Sequence, residues 1–177
     1  MKRILDLLIF SLIMLSSCHD KKNGVEDDLY NCLLNSLTEE EKNKLAPIII
    51  DFEKHLISTK VLASSAPKSY LNFYKKIAET GEHNFSNEFN FSEKISFLNR
   101  RSPNDTQDLL ECHSKIFQTE KYKNSKLYEL TKEMQSLKQH RITPVIIAKT
   151  TLKYLNEDDF ELDYNRFNTL MFIESLK

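Results

Sequence analysis

The three cysteines are the residues of this chain best suited to nucleophilic chemistry, and one of them, Cys112, is followed directly by His113. A cysteine nucleophile needs a base that removes the thiol proton. Cys112 and His113 lie in a segment with helical periodicity, where adjacent side chains point about 100° apart and do not meet. The spacing of the other histidines selects none of them as a base. The pattern therefore predicts no cysteine enzyme.

The sequence gives no stronger evidence for a metal site or for catalysis by carboxylates than for a cysteine enzyme. The five histidines are scattered without an i, i+4 pair or a ligand cluster, which argues against zinc. The acidic residues of segments 39–41 and 157–163 could serve a glycosidase or bind calcium. However, both segments lie at predicted helix N-termini, where negative charge complements the helix dipole, and neither contains the glycine of an EF-hand loop. We therefore predict no catalytic residue, no metal site and no cofactor.

Composition argues against nucleotide and nucleic-acid binding. The 177 residues include only two glycines, Gly24 and Gly81, where average usage gives about 12. Phosphate-binding loops, Rossmann turns and nucleophile elbows need clustered glycines where the backbone approaches a ligand or takes positive φ. A net charge of −1 leaves no basic surface for nucleic acid. P-loop, Rossmann and typical α/β-hydrolase enzymes are therefore disfavoured.

The N-terminus has the composition of an export signal. Lys2 and Arg3 precede an apolar run that ends in Leu15-Ser16-Ser17-Cys18. The run is too short to span a bilayer, which needs about 20 apolar residues. Its last four residues resemble the lipobox of bacterial lipoproteins, in which an aliphatic and two small residues precede a cysteine.

The lipobox resemblance implies that the protein is anchored at a membrane. In that family diacylglycerol is attached to the cysteine thiol and the signal is cut just before it, so residues 1–17 would be a signal peptide and Cys18 the membrane anchor. His19 is not the aspartate that retains some lipoproteins in the inner membrane, so the outer membrane is the expected location. Two or more acyl chains give stable attachment. Residues 18–27 are mostly polar and are expected to form a flexible tether.

Residues 28–177 are predicted to form one all-α domain, a single irregular helical bundle of about seven or eight helices. Apolar residues recur with helical spacing between recognisable helix ends. Pro47 falls beyond the first turn of its helix, so a kink or break is expected there. The expected N-terminal caps are Thr38, Asp105 and Thr143, and Gly81 is the expected helix end.

Cys32 and Cys112 remain once Cys18 is acylated, and both lie on apolar faces of predicted helices. An exported protein meets an oxidising compartment in which two such thiols tend to pair. We therefore predict a disulfide between them. Two separate buried thiols, behaving as small apolar side chains, are the alternative.

The stretch 83–104 is the least regular part of the sequence. Its phenylalanines Phe85, Phe89 and Phe91 alternate instead of following a helical period, which predicts a short extended piece across the helices. Aromatic side chains in loops often anchor a partner, so these three are the candidate partner-binding residues. The alternative, which we expect, is that the rings fix the loop onto the bundle.

These features predict a non-enzymatic, membrane-anchored helical lipoprotein. Its expected partner is another cell-envelope protein, which it would bind as a scaffold or as an inhibitor of the immunity type. The main alternative is a carrier or sensor of an apolar small molecule held between helices. A hydrolase with residues that the sequence does not reveal is the third possibility.

Overall fold

The computed structural model describes residues 24–83, 85, 88–99, 102–137 and 142–176. These residues form nine α-helices and no strand, so the predicted all-α class is confirmed. Two of the nine are single turns of four residues, which leaves seven longer helices. The helices are α1 Val25–Asn35, α2 Glu39–Ser58, α3 Pro67–Thr80, α4 Phe91–Lys94, α5 Pro103–Phe117, α6 Glu120–Lys123, α7 Lys126–Leu137, α8 Pro144–Tyr154 and α9 Asp163–Glu174, with 3-10 turns at Ser96–Asn99 and Asp158–Glu161.

The predicted signal peptide of residues 1–17, the predicted anchor Cys18 and most of the predicted tether lie outside the described residues. The helical domain begins earlier than expected, because Gly24 caps α1 and Val25 is already helical. Val25 is buried, which explains why the helix extends back into a segment whose polarity predicts a tether. Across the described ranges, none of the helices combines the length and the apolar character needed to cross a bilayer.

Most predicted helix ends are confirmed. Thr38 and Glu41 form a reciprocal capping box, with the backbone N–H of Thr38 donating to Glu41 Oε2 at 2.8 Å. Thr143 Oγ1 accepts from the Ile146 N–H at 3.3 Å and starts α8. Gly81 ends α3 in the left-handed region, with φ 71°, which glycine adopts without a steric cost.

One predicted helix cap is wrong, and the break considered at Pro47 does not occur. The cap of α5 is Ser102, not Asp105: the Ser102 hydroxyl accepts from the Asp105 N–H at 3.1 Å, and Pro103 occupies the first helical position. α2 also runs through Pro47 without a break. Pro47 and Asn43, whose carbonyl loses its helical partner, both lie on the exposed side of α2, so water can replace the missing bond.

The main core lies where α2, α3, α8 and α9 meet. Its centre holds Phe52, Tyr70, Ile77 and Leu170, none of which exposes any surface. α3 packs along α8, and α1 packs against α5 and α9. A smaller apolar cluster joins α1 to α6 and α7.

α5 lies on the outside of this assembly. The spacing of Leu109, Cys112 and Ile116 predicts a buried face, yet no residue of α5 is buried. Leu110 and Phe117 expose 57% and 44% of their surface. The neighbours of α5 are α1 and the short α6, so the helix has apolar contact on one narrow side only.

Candidate functional site

The predicted disulfide is present. Cys32 of α1 and Cys112 of α5 are bonded, with their Cα atoms 5.9 Å apart, a usual separation for a disulfide. The bond attaches α5 to the core through α1. Because Cys112 is bonded, it offers no thiolate to His113, and the nucleophile hypothesis has no geometric support.

Titratable side chains do not converge on a metal-binding arrangement in the described part of the chain, where no group of three or more potential ligands is found. The acidic residues at the N-terminus of α2 are used locally. Glu41 caps the helix, and Glu39 and Glu40 form exposed ion pairs with Lys42 and Lys44.

The three candidate phenylalanines pack onto the core. Phe91 begins α4 with no exposed surface, and its ring stacks on Phe52 with centroids 4.3 Å apart. Phe89 also stacks on Phe52, at 5.1 Å, and Phe85 lies 5.7 Å from Phe73. Phe91 therefore has no ring surface to offer a partner. The described residues of this stretch contain no strand, and from Phe91 onwards they form α4 and a 3-10 turn.

The feature of the structure best suited to hold a small molecule is a groove that α7, α8 and α9 line. We call it the apolar groove. Its volume is about 390 Å³, within the range of about 300–1,000 Å³ that small-molecule sites occupy. Its apolar lining includes Leu127, Leu130, Met134, Ile147, Phe160 and Phe172. None of the described residues that line the groove carries a charge.

One set of hydroxyl groups along the groove is satisfied within the protein. Tyr74 OH donates to Thr169 Oγ1 at 3.3 Å, and Thr169 Oγ1 donates to the Asn165 carbonyl at 2.7 Å. Burial raises the pKa of Tyr74 to about 12, so its phenol is neutral at physiological pH. These bonds hold α3 to α9 and fix one wall of the groove.

Two other buried polar side chains of the lining retain hydrogen-bonding capacity. Thr151 and Asn165 each expose only 5% of their surface. The Asn165 amide donates through Nδ2 to the Asp159 carbonyl at 2.8 Å, which leaves its Oδ1 without a partner among the described residues. The Thr151 hydroxyl likewise forms no hydrogen bond within the described part of the chain. Neither feature is visible in the sequence, because the groove is assembled from helices distant in the chain.

A partly buried ion pair connects three helices beside the core. Glu53 Oε1 accepts hydrogen bonds from Tyr70 OH and from Arg166 Nη2, the latter at 2.5 Å. The Arg166 guanidinium also lies 5.6 Å from the centre of the Tyr70 ring. Burial and the Glu53 carboxylate raise the pKa of Tyr70. The sequence signal was a charged residue on the apolar face of α2, between Phe52 and Leu56. Since each of these groups is paired with another, the arrangement serves to hold α2, α3 and α9 together.

A second cavity lies between α1, α5 and α9. We call it the Met171 depression. Its volume is about 420 Å³, and its lining includes Leu33, Ile95, Leu98, Leu109 and Met171. Met171 exposes 38% of its surface, although its spacing in α9 predicts an inward position.

Comparison with known proteins gives no relative: no family model, no curated protein and no solved structure matches this chain.

Proposed function

We propose that this protein is a lipid-anchored binding protein of the bacterial cell envelope and that its apolar groove holds a small apolar molecule. The groove carries the proposal. It combines the volume of a small-molecule site with an uncharged lining whose surface is mainly apolar and in which polar groups stand among apolar side chains. This site corresponds to the carrier or sensor that the sequence left as the alternative to a protein-binding role.

The anchor of the proposed protein is Cys18. It is supported by the lipobox-like residues Leu15 to Cys18 and by the charged and apolar segments before them. Diacylglycerol on the thiol, with a further acyl chain on the new N-terminus, would hold the domain at a membrane surface. The outer membrane is the favoured location, because His19 is not the aspartate of the retention signal.

Binding of N-phenylnaphthylamine, a neutral dye that fluoresces in apolar surroundings, tests the groove. Met134 lines it from α7 and is half-buried. We expect Met134→Trp to fill the groove and weaken dye binding about tenfold or more, whereas Met134→Leu, which conserves volume, should change it little. Circular dichroism checks that both variants fold. Equal dye affinity in the wild type and the Met134→Trp variant would place the dye elsewhere and remove the support for this function.

Binding of another envelope protein remains a second candidate function, and the Met171 depression favours it. Exposed methionine on an open apolar surface adapts readily to different partners. Crosslinking in intact envelopes, followed by purification, would detect such a partner. We expect Met171→Lys to abolish capture of a protein that both the wild type and Glu79→Lys, an exposed control on α3, retain. Capture that is unaffected by Met171→Lys would exclude the depression as its site.

A further inference from the structure

We infer that the apolar groove selects an uncharged, largely apolar molecule that carries a hydroxyl group, and that it rejects ionised amphiphiles of the same length. The inference rests on the proposed function, namely that the groove holds a small molecule. It adds the chemical class of that molecule.

The rejection of charged ligands follows from the lining. No described residue of the groove is acidic, basic or a histidine, and the phenol of Tyr74 is neutral. An ionised carboxylate or ammonium that enters such a site loses its hydration and gains no opposite charge, which is strongly unfavourable. A neutral molecule of the same length loses far less.

The preference for a hydroxyl group follows from the two buried lining side chains with remaining hydrogen-bonding capacity, Thr151 and Asn165. Asn165 Oδ1 is an amide oxygen and can only accept a hydrogen bond, while Nδ2 gives one of its two N–H groups to the Asp159 carbonyl. A ligand must therefore bring a donor to satisfy it. The Thr151 hydroxyl can donate or accept, so an alcohol group is able to use either residue, and it can do so without bringing a charge.

The hydroxyl groups of Tyr74 and Thr169 are not expected to bind the ligand. Their hydrogen bonds run within the protein, from Tyr74 to Thr169 and from Thr169 to the Asn165 carbonyl. The pair therefore stiffens the wall that also carries the Asn165 side chain. A fixed acceptor discriminates better than a mobile one, because the protein does not rearrange to serve a poorer ligand.

Competition against N-phenylnaphthylamine tests the inference with three probes of equal chain length: decanol, decanoate and decane. The protein is the full chain with Cys18→Ala, so that no acyl group of its own competes for the groove. At neutral pH we expect decanol to displace the dye at a concentration at least about tenfold lower than decanoate requires, a difference of about 1.4 kcal/mol.

Variants at Thr151 separate the hydrogen bond from general hydrophobicity. Thr151→Val keeps the shape of the side chain and removes the hydroxyl, and Thr151→Ser keeps the hydroxyl. We expect the ratio of decanol to decane affinity to fall about threefold or more in Thr151→Val and to stay nearly unchanged in Thr151→Ser.

Decanoate that binds as tightly as decanol would overturn the inference whether or not either Thr151 variant folds. A decanol-to-decane ratio unchanged by Thr151→Val would also overturn the hydroxyl preference. Both results would leave the proposed function standing, since the groove would still hold a small molecule. Failure of the dye and all three probes to bind would instead refute the proposed function, and the inference with it.

Discussion

Glu53 is a residue whose loss should damage the fold severely. Removing its carboxylate leaves the Arg166 charge and the buried Tyr70 hydroxyl without their shared partner. Breaking a buried ion pair from one side typically costs about 3–5 kcal/mol, and the 29% exposure of the Arg166 side chain puts this pair at the lower end of that range. We therefore expect Glu53→Ala to lower the free energy of unfolding by about 3 kcal/mol, as measured by urea denaturation. Glu53→Gln is the matched control and should cost less, because its amide oxygen still accepts a hydrogen bond. A loss below about 1 kcal/mol in Glu53→Ala would show that water replaces the pair.

Tyr74 should make stability sensitive to alkaline pH. Burial raises the pKa of Tyr74 from 10.0 to about 12 in the folded protein. Because the folded pKa is the higher one, its contribution is fully present below about pH 10 and is lost as the pH rises towards 12. We expect Tyr74→Phe to flatten this decline in urea unfolding measured across that pH range. Tyr70, whose pKa is also raised, contributes equally to both proteins. Parallel declines in wild type and variant would contradict the prediction.

At the scale of elements, α5 is the helix least secured by packing. It has no buried residue, and its covalent link is the disulfide that spans 80 residues of sequence. Cross-linking over such a loop is worth roughly 4 kcal/mol in the chain-entropy estimate. Reduction should therefore lower the free energy of unfolding by about that amount. It should also increase amide hydrogen exchange in α5 before exchange in α2 or α3.

Hydrogen-exchange mass spectrometry of oxidised and reduced protein measures this effect. Cys32→Ser and Cys112→Ser should each reproduce the behaviour of the reduced protein. A uniform increase in exchange across all helices would mean that the disulfide stabilises the whole fold and not α5 in particular.

The junction of α4 with the core depends on Phe91. Its fully buried ring stacks on Phe52, so Phe91→Ala leaves a cavity and should cost about 3–5 kcal/mol. Phe89→Ala is the comparison, because Phe89 stacks on the same ring but is only half-buried. We expect a smaller fall in its melting temperature. Equal effects would indicate that the two rings stabilise α4 as a unit.

For the molecule as a whole, the sequence predicts those features of the fold that interactions between residues close in the chain determine. The all-α class follows from helical periodicity and scarce glycine, and the ends at Thr38, Gly81 and Thr143 follow from local hydrogen bonding. The Cys32–Cys112 pairing followed from the cysteine count, the apolar helix faces on which both residues lie, and the expectation of export. In contrast, the continuity of α2 at Pro47 depends on which side of the helix meets water, which only the assembled fold determines.

The candidate site was beyond the sequence for the same reason. Apolar periodicity marks one face of each helix, but it does not say whether a neighbour covers that face. α5 shows the consequence, since its apolar side remains largely uncovered. The groove likewise depends on an incomplete fit between α7, α8 and α9. Its unpaired groups on Thr151 and Asn165 become apparent only once their neighbours are in place.

Substitution of Cys18 tests the proposed membrane location of the protein. We expect Cys18→Ala to move the protein from the membrane fraction to the soluble fraction and to abolish labelling by a fatty-acid analogue. His19→Ala, a change at the neighbouring residue, should leave the labelling intact. A Cys18→Ala protein that remains both membrane-bound and labelled would show that the anchor lies elsewhere.

The early start of α1 also limits how far the domain can stand from its proposed anchor. Seven peptide steps separate Cys18 from Val25, and even a fully extended chain of that length reaches only roughly 25 Å. Val25 and Leu29 are buried against Tyr122 and Leu127. The first turns of α1 therefore cannot unwind to lengthen the connection to Cys18 without breaking that cluster. With Cys18 acylated, the protein could not bridge to a distant surface. It would instead work within about one small-domain diameter of its own bilayer, where a molecule leaving the lipid has only a short distance to travel.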